Sequence, residues 1–256
     1  MKTIHLILQG KGGVGKSLVS SLLCQYLEKS GAVTAIDTDP VNNTLSGYEA
    51  LNVTCLDIKK GDDIDRRKFD DLMEIILNEA DENRQFVIDN GAATFLPLCA
   101  WMRENQTIEM WREAGVHVLL HSIITGGQGQ DDTLDGLEVL MDYFVAPIVA
   151  WLNSYFGEIS YKSKASGQTL TFEDFGLYKN NSAKFTALIR IPQKSAQTFG
   201  KDLEELFSRR QTFADAIADE SMPIMSRQRL KIFWNEVCAE IDKANLILQP
   251  VDGGQP

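Results

Sequence analysis

Apolar residues follow two rhythms along this chain. Short, largely apolar runs at 4–8, 32–36, 86–88, 116–124, 149–152 and 188–191 alternate with stretches where apolar positions recur every three or four residues. Such runs fit parallel strands buried on both faces, and the second rhythm fits amphipathic helices. Helices are expected at 18–27, at 67–80 (Phe69, Leu72, Ile75 and Ile76 on one face) and at 131–144 (Leu134, Leu137, Leu140 and Met141). Three more are expected at 203–207, 213–217 and 230–248. The alternation predicts an α/β fold, a mostly parallel sheet flanked by helices on both faces. It breaks at 155–184, where 159–161 and 169–172 enclose a polar Ser-Lys-Ala-Ser-Gly-Gln turn and predict a protruding hairpin. Such an insertion serves recognition or is a tolerated loop. Residues 1–248 are expected to form one domain, and 249–256 a disordered tail.

Strand ends carry the chemistry. Between the first strand and first helix stands Gly-Lys-Gly-Gly-Val-Gly-Lys-Ser at 10–17. Glycines let several backbone N–H groups face one anion, and the helix terminus adds its dipole. Gly12, Gly13, Val14, Gly15, Lys16, Ser17 and Leu18 are therefore the candidate phosphate cradle. Lys16 is placed to reach the β- and γ-phosphates, and the Ser17 hydroxyl to ligate Mg²⁺. The run ending at Ile36 is followed by Asp37-Thr38-Asp39-Pro40, and the run ending at Ile88 by Asp89. Carboxylates there point into the crevice where open α/β sheets bind ligands. Pro40 would halt its strand and fix the turn that presents Asp39. Asp89 has the form of a Walker B aspartate, which holds a Mg²⁺-bound water. Gly91 could bring its N–H to the γ-phosphate or be a plain turn glycine. Asn153 and the Ile-Pro step ending at Pro192 would lie at the base end of the site. With no Asn-Lys-x-Asp segment in the chain, ATP is favoured over GTP.

Lys11 is surplus to an ordinary phosphate loop, and two lysines in one tight loop repel unless each has its own anion. With it, the spelling resembles the deviant Walker A motif, KGGxGKS, of the family that includes ParA, MinD and the nitrogenase iron protein. The resemblance implies a P-loop NTPase fold, ATP and Mg²⁺ as cofactors, and a homodimer formed on ATP binding. It implies that Lys11 crosses to the partner's nucleotide, with a solvent-exposed loop charge as the alternative. It also implies that Asp39 orients or deprotonates the attacking water and that Asp37 sits near Mg²⁺. Catalytic roles thus fall on Lys11, Lys16 and Asp39, and metal roles on Ser17, Asp37 and Asp89. The sequence departs from many relatives after Asp89, reading Asn90-Gly91-Ala92 where they read Asp-x-Pro. An iron–sulfur role is opposed, because Cys99 has no neighbouring cysteine to pair with. The segments at 8–17, 36–42, 87–92, 125–128, 150–153 and 218–232 together resemble a branch of the family encoded in the transfer regions of conjugative plasmids. That implies a role in plasmid DNA transfer and a protein partner in the transfer machinery.

Charge and composition narrow the alternatives. A net charge of −11 opposes non-specific contact with phosphate backbones, so DNA contact is possible but unsupported. The basic cluster Arg227, Arg229 and Lys231 reads as a small DNA or partner patch, or as a solvated face. No apolar run is long enough to cross a bilayer, and no signal peptide fits before the first strand. Cysteines 24, 55, 99 and 238 are scattered, as expected for reduced thiols in a cytoplasmic protein. His117 and His121 share one side of an extended run, where they ligate a metal or serve structure. Other functions stay open on this scaffold: a small-molecule kinase, an ATP-dependent ligase, or a nucleotide-binding scaffold that does not hydrolyse ATP.

Overall fold

The computed structural model describes residues 1–247 apart from 40, 41, 43, 62, 164 and 165. The turn expected of Pro40 and the tail at 249–256 lie outside the described residues. In chain order, β1 (Thr3–Ile7), α1 (Lys16–Leu27), β2 (Val33–Asp37) and the short β3 (Thr54–Cys55) come first. A small ribbon of β4 (Lys59–Lys60) and β5 (Asp63–Ile64) precedes α2 (Asp70–Leu77), β6 (Gln85–Asp89), α3 (Phe95–Glu104) and α4 (Thr107–Glu113). Then come β7 (His117–Thr125), α5 (Gln130–Tyr143) and β8 (Ile148–Asn153). The expected hairpin is β9 (Ser160–Lys162) with β10 (Thr169–Thr171), followed by α6 (Gly176–Asn181). The chain continues with β11 (Phe185–Arg190), α7 (Lys201–Ser208), α8 (Phe213–Ala218) and α9 (Ile224–Ala244).

Among the described residues the central sheet has seven strands in the order β11-β8-β7-β1-β6-β2-β3. Every neighbouring pair runs parallel. Alternate residues feed two cores. Ile4, Leu6, Phe86, Ile88, Leu120 and Ile124 meet the layer formed by α2 to α5. Ile7, Val87, Leu119, Ile123 and Val149 meet α1, α7, α8 and α9. α9 buries Leu230, Phe233, Trp234, Val237 and Ile241 at helical spacing, and Trp234 stacks on Phe213 at 5.0 Å. Burying one such side chain contributes about 1.5–3 kcal/mol, so docking on the domain accounts for this helix.

Some boundaries differ from the sequence pattern. The helix expected at 67–80 opens as a tight turn whose Arg67 N–H donates to Asp65, and α2 itself ends at Leu77. β11 ends at Arg190, ahead of the Ile-Pro step. The basic cluster is not a uniformly solvated face. Arg229 is paired with Asp202 of α7, and the Arg227 Nε is buried without a partner.

A buried polar line crosses the sheet on the α1/α9 side. Trp151 Nε1–H donates to His121 Nδ1 at 2.9 Å. His121 therefore carries its proton on Nε2, facing His5 Nδ1 at 3.0 Å. His5 in turn donates from Nε2 to Gln85 Oε1 at 3.1 Å. Four adjacent strands, β8, β7, β1 and β6, contribute one member each. Both rings stay neutral, because burial drives their pKa values down, that of His5 to about 4. His121 is thus fully engaged in structure, and His117 is not one of the hydrogen-bonded members of the line. Among the described residues no group of three metal-binding side chains includes either histidine.

The sign of the pH effect follows. A histidine depressed in the fold gives stability that is complete above its unfolded pKa of 6.5 and is lost as pH falls towards 4. Urea melts should show stability falling through that window, and no such fall would contradict the neutral line. Trp151→Phe, which keeps an aromatic ring but leaves a small void and orphans His121 Nδ1, should cost at least about 1–3 kcal/mol at pH 8.

Candidate functional site

The glycine-rich loop leaves β1 at the carboxyl end of the sheet, and its shape comes from its own backbone and two buried amides. Gly13 (φ +75°) and Gly15 (φ +102°) adopt the left-handed conformation that other residues resist. Upstream, Gln9 Nε2 donates to the carbonyls of Ile123 and Thr133, both at 3.0 Å. Its Oε1 accepts the Gly10 N–H at 2.8 Å. Downstream, Asn153 Nδ2 donates to the Val14 carbonyl at 3.0 Å. The loop is clamped from both sides. Gln9 fits only because α5 presents Gly136, where an added Cβ would lie 2.0 Å from Gln9 Oε1.

The two lysines of the loop part company. Lys16, at the start of α1, is buried and donates from Nζ to the Lys11 carbonyl at 3.0 Å. Burial holds its pKa below the ordinary lysine value, opposed by Asp89 and Asp39. Lys11 turns outward, and its half-exposed ammonium meets Asp132 of α5 at 2.7 Å. Gly12 faces Ala92 of the loop after β6, with 4.0 Å to a Cβ built on it.

Acidic groups gather beside Lys16. Asp37 and Asp89 are register partners across β2 and β6. Burial pushes Asp89 up to about 7, with Asp37 adding to the shift, while the hydroxyls of Ser17 and Ser20 oppose it. Ser20 Oγ donates to Asp89 at 2.9 Å. Asp37, also raised by burial, accepts the N–H groups of Asp39 at 2.9 Å and Ser46 at 3.1 Å. Asp39 takes the Asn42 N–H at 3.1 Å and lies against Gly91, where a Cβ would come within 2.6 Å of its carboxyl carbon. Gly91 is therefore needed for this close approach. A buried carboxylate held so far from its ordinary state is undercompensated, and hydroxyl and carboxylate oxygens suit a hard cation. Among the described residues no group of three metal-binding side chains is present.

At the far end a cavity of about 360 Å³ is lined by Gly13, Gly15, Leu18, Asn153, Pro192 and Phe207. The Asn153 amide holds the loop rather than standing free at the cavity wall, since its Oδ1 also accepts the Tyr155 N–H at 3.2 Å. The fold brings Lys16, Ser17, Asp37, Asp39 and Asp89 to one edge, with Asn153 and Pro192 at the other end of the same crevice. The sequence reading missed Gln9, Ser20, Asp132 and Gly136. Gln9 and Ser20 flank the motif by one and three positions. The other two come from a helix more than a hundred residues away, and no local pattern marks them.

Gly136→Ala tests the clamp. Helix propensity alone would stabilise it by about 1 kcal/mol, whereas the clash with Gln9 should cost about 1–3 kcal/mol and weaken binding of a fluorescent ATP analogue. A melt at or above the parent value would contradict the clamp.

Residues 5–218 match the family model described as the CobQ/CobB/MinD/ParA nucleotide binding domain. Two Escherichia coli proteins, each named Protein TraL, are 41% and 40% identical over 250 residues, covering 96% of this chain and all of theirs. Among solved structures, the MinD cell division protein of Aquifex aeolicus superposes with a TM-score of 0.54 at 16% identity, covering 98% of this chain and 100% of that one. With a parallel sheet, a glycine-turned loop and two acidic strand ends already in place, the chain belongs to the CobQ/CobB/MinD/ParA family of nucleotide-binding proteins, in its TraL-like branch.

Proposed function

We propose that the chain is an ATP-binding, slowly hydrolysing dimeric switch that serves conjugative plasmid DNA transfer from the cytoplasm. Family membership supports the nucleotide chemistry, and whole-length similarity to the TraL proteins supports the setting. The observation that carries the switch is the divergence of Lys16 and Lys11. Lys16 lies buried beside Asp89, whereas Lys11 extends from the same loop to the exposed carboxylate of Asp132. A cation held on the outer side is not taken up by its own cradle and so stays available to a phosphate outside it.

In this reading Lys16 and the N–H groups of Gly12 to Ser17 hold the phosphates. Ser17 and Asp89 hold Mg²⁺, with Asp37 behind them. Mg²⁺ contributes charge neutralisation on the phosphate oxygens. Asp39 orients the attacking water, and Asn153 with Pro192 bounds the base end. Lys11 of each subunit leaves Asp132 and neutralises charge at the partner's transferring phosphoryl group. Cations supplied in this way accelerate phosphoryl transfer by about 10³–10⁵-fold, so turnover without dimerisation should be slow. A protein of the transfer machinery would set the lifetime of the dimer.

Sedimentation with a non-hydrolysable ATP analogue divides the roles. Lys16→Ala should lose nucleotide binding by roughly tenfold or more, as for a lost charge-assisted contact. Lys11→Ala should bind nucleotide within about twofold of the parent, in keeping with an exposed pair, and remain monomeric. Equal loss of nucleotide in both variants would overturn the division.

A further inference from the structure

The hairpin is fastened to the helical turn that holds Lys11. Gln130 donates from Nε2 to the Ser160 carbonyl at 3.2 Å and accepts the Ser160 N–H at 3.0 Å. Tyr161 of β9 donates to Asp131, the immediate neighbour of Asp132. One turn further along α5, between that helix, the hairpin and α6, a cavity of about 530 Å³ opens to solvent. Its floor is apolar, made by Leu134, Leu170, Phe175 and Leu177, and its rim carries Asp135 and Glu138, while Asp174, which also lines it, is paired with Lys179. Both rim carboxylates are exposed, and neither forms an ion pair among the described residues. None of these residues lines the nucleotide crevice.

We propose that this groove docks a basic, leucine-bearing segment of a partner protein. An apolar floor favours burial, but covering the rim with a neutral surface would strand two carboxylates, so the occupant must bring cations. The net charge of −11 adds attraction for such a segment and repels nucleic acid. Its apolar side chains cover Leu170 and Phe175 while its cations meet Asp135 and Glu138. Docking there bears on the hairpin and, through Gln130 and Asp131, on the turn that holds Lys11. The regulatory consequence rests on the switch described above, whereas the docking itself does not.

Fluorescence anisotropy on the full chain without nucleotide tests it. The probes are a labelled 18-residue helical peptide of leucine and lysine and its leucine–glutamate counterpart. The lysine peptide should bind and the glutamate peptide should not. Asp135→Lys with Glu138→Lys should weaken binding by about tenfold or more, as for lost charge complementarity at a docking surface. Glu109→Lys with Glu113→Lys on α4 makes the same change in net charge and should stay within about twofold, since those sites are remote. Leu170→Ser should weaken binding without changing charge, and melts establish that each variant is folded. Equal losses in the two charge-reversed variants, or no binding of the lysine peptide, would overturn the proposal. Nucleotide affinity is measured in parallel. Peptide binding without nucleotide binding sinks the switch and leaves the groove, and the converse sinks the groove alone.

Discussion

A loop built to present bare N–H groups cannot hold its own shape, because the groups that would brace it internally are reserved for the anion. Here the bracing comes from two buried amide side chains. Gln9 ties the loop's entrance to β7 and α5, and Asn153 ties its turn to the end of β8. Both are screened from water, so their hydrogen bonds act in a medium of low dielectric and are costly to leave unmade. The glycines supply conformational freedom, and the amides remove it again. That pairing makes the carboxyl edge of the sheet a preformed cradle.

Charge at this edge is arranged with little slack. Asp37 and Asp89 are neighbours across two parallel strands, and burial pushes both of them, and Lys16 beside them, towards their neutral forms. Such crowding is stable only with hydroxyl and backbone donors close by, which Ser17, Ser20, Ser46 and Asp39 provide. Groups held away from their ordinary protonation states are poised to receive a ligand of compensating charge. Lys11 stands outside this crowd, and the difference in burial between the two lysines gives them different partners. The helix that holds Lys11 also anchors the hairpin, so α5 links the nucleotide edge to the insertion.

Much of this was legible in the chain itself. Largely apolar runs gave the sheet strands because parallel strands are buried on both faces, and the motif at 10–17 marked the sheet edge at which Lys16 meets Asp39 and Asp89. The helices α3 and α4 are obscured in the sequence by Pro97, which sits in the tolerant first turn of α3, and by the left-handed Gln106 that separates them, although Phe95, Leu98, Cys99 and Met102 keep helical spacing. His5, with no local pattern of its own, found its role only when β1 and β7 became neighbours. Asn153 shows a subtler gap. An amide at a strand end does suit a base edge, but only the fold reveals that Val14 and Tyr155 already engage it. Pairings across more than a hundred residues, such as Lys11 with Asp132 or Gln9 with Gly136, depend on topology and leave no trace in spacing.

The proposed switch requires Lys11 to reach a nucleotide bound by another subunit. A crystal structure of the chain grown with Mg²⁺ and a non-hydrolysable ATP analogue tests it most directly. The switch predicts a face-to-face pair in which each Lys11 ammonium has left Asp132 and lies on a phosphate bound by the other copy. Nucleotide bound in the cradle with Lys11 still on Asp132, in every assembly observed, would contradict it.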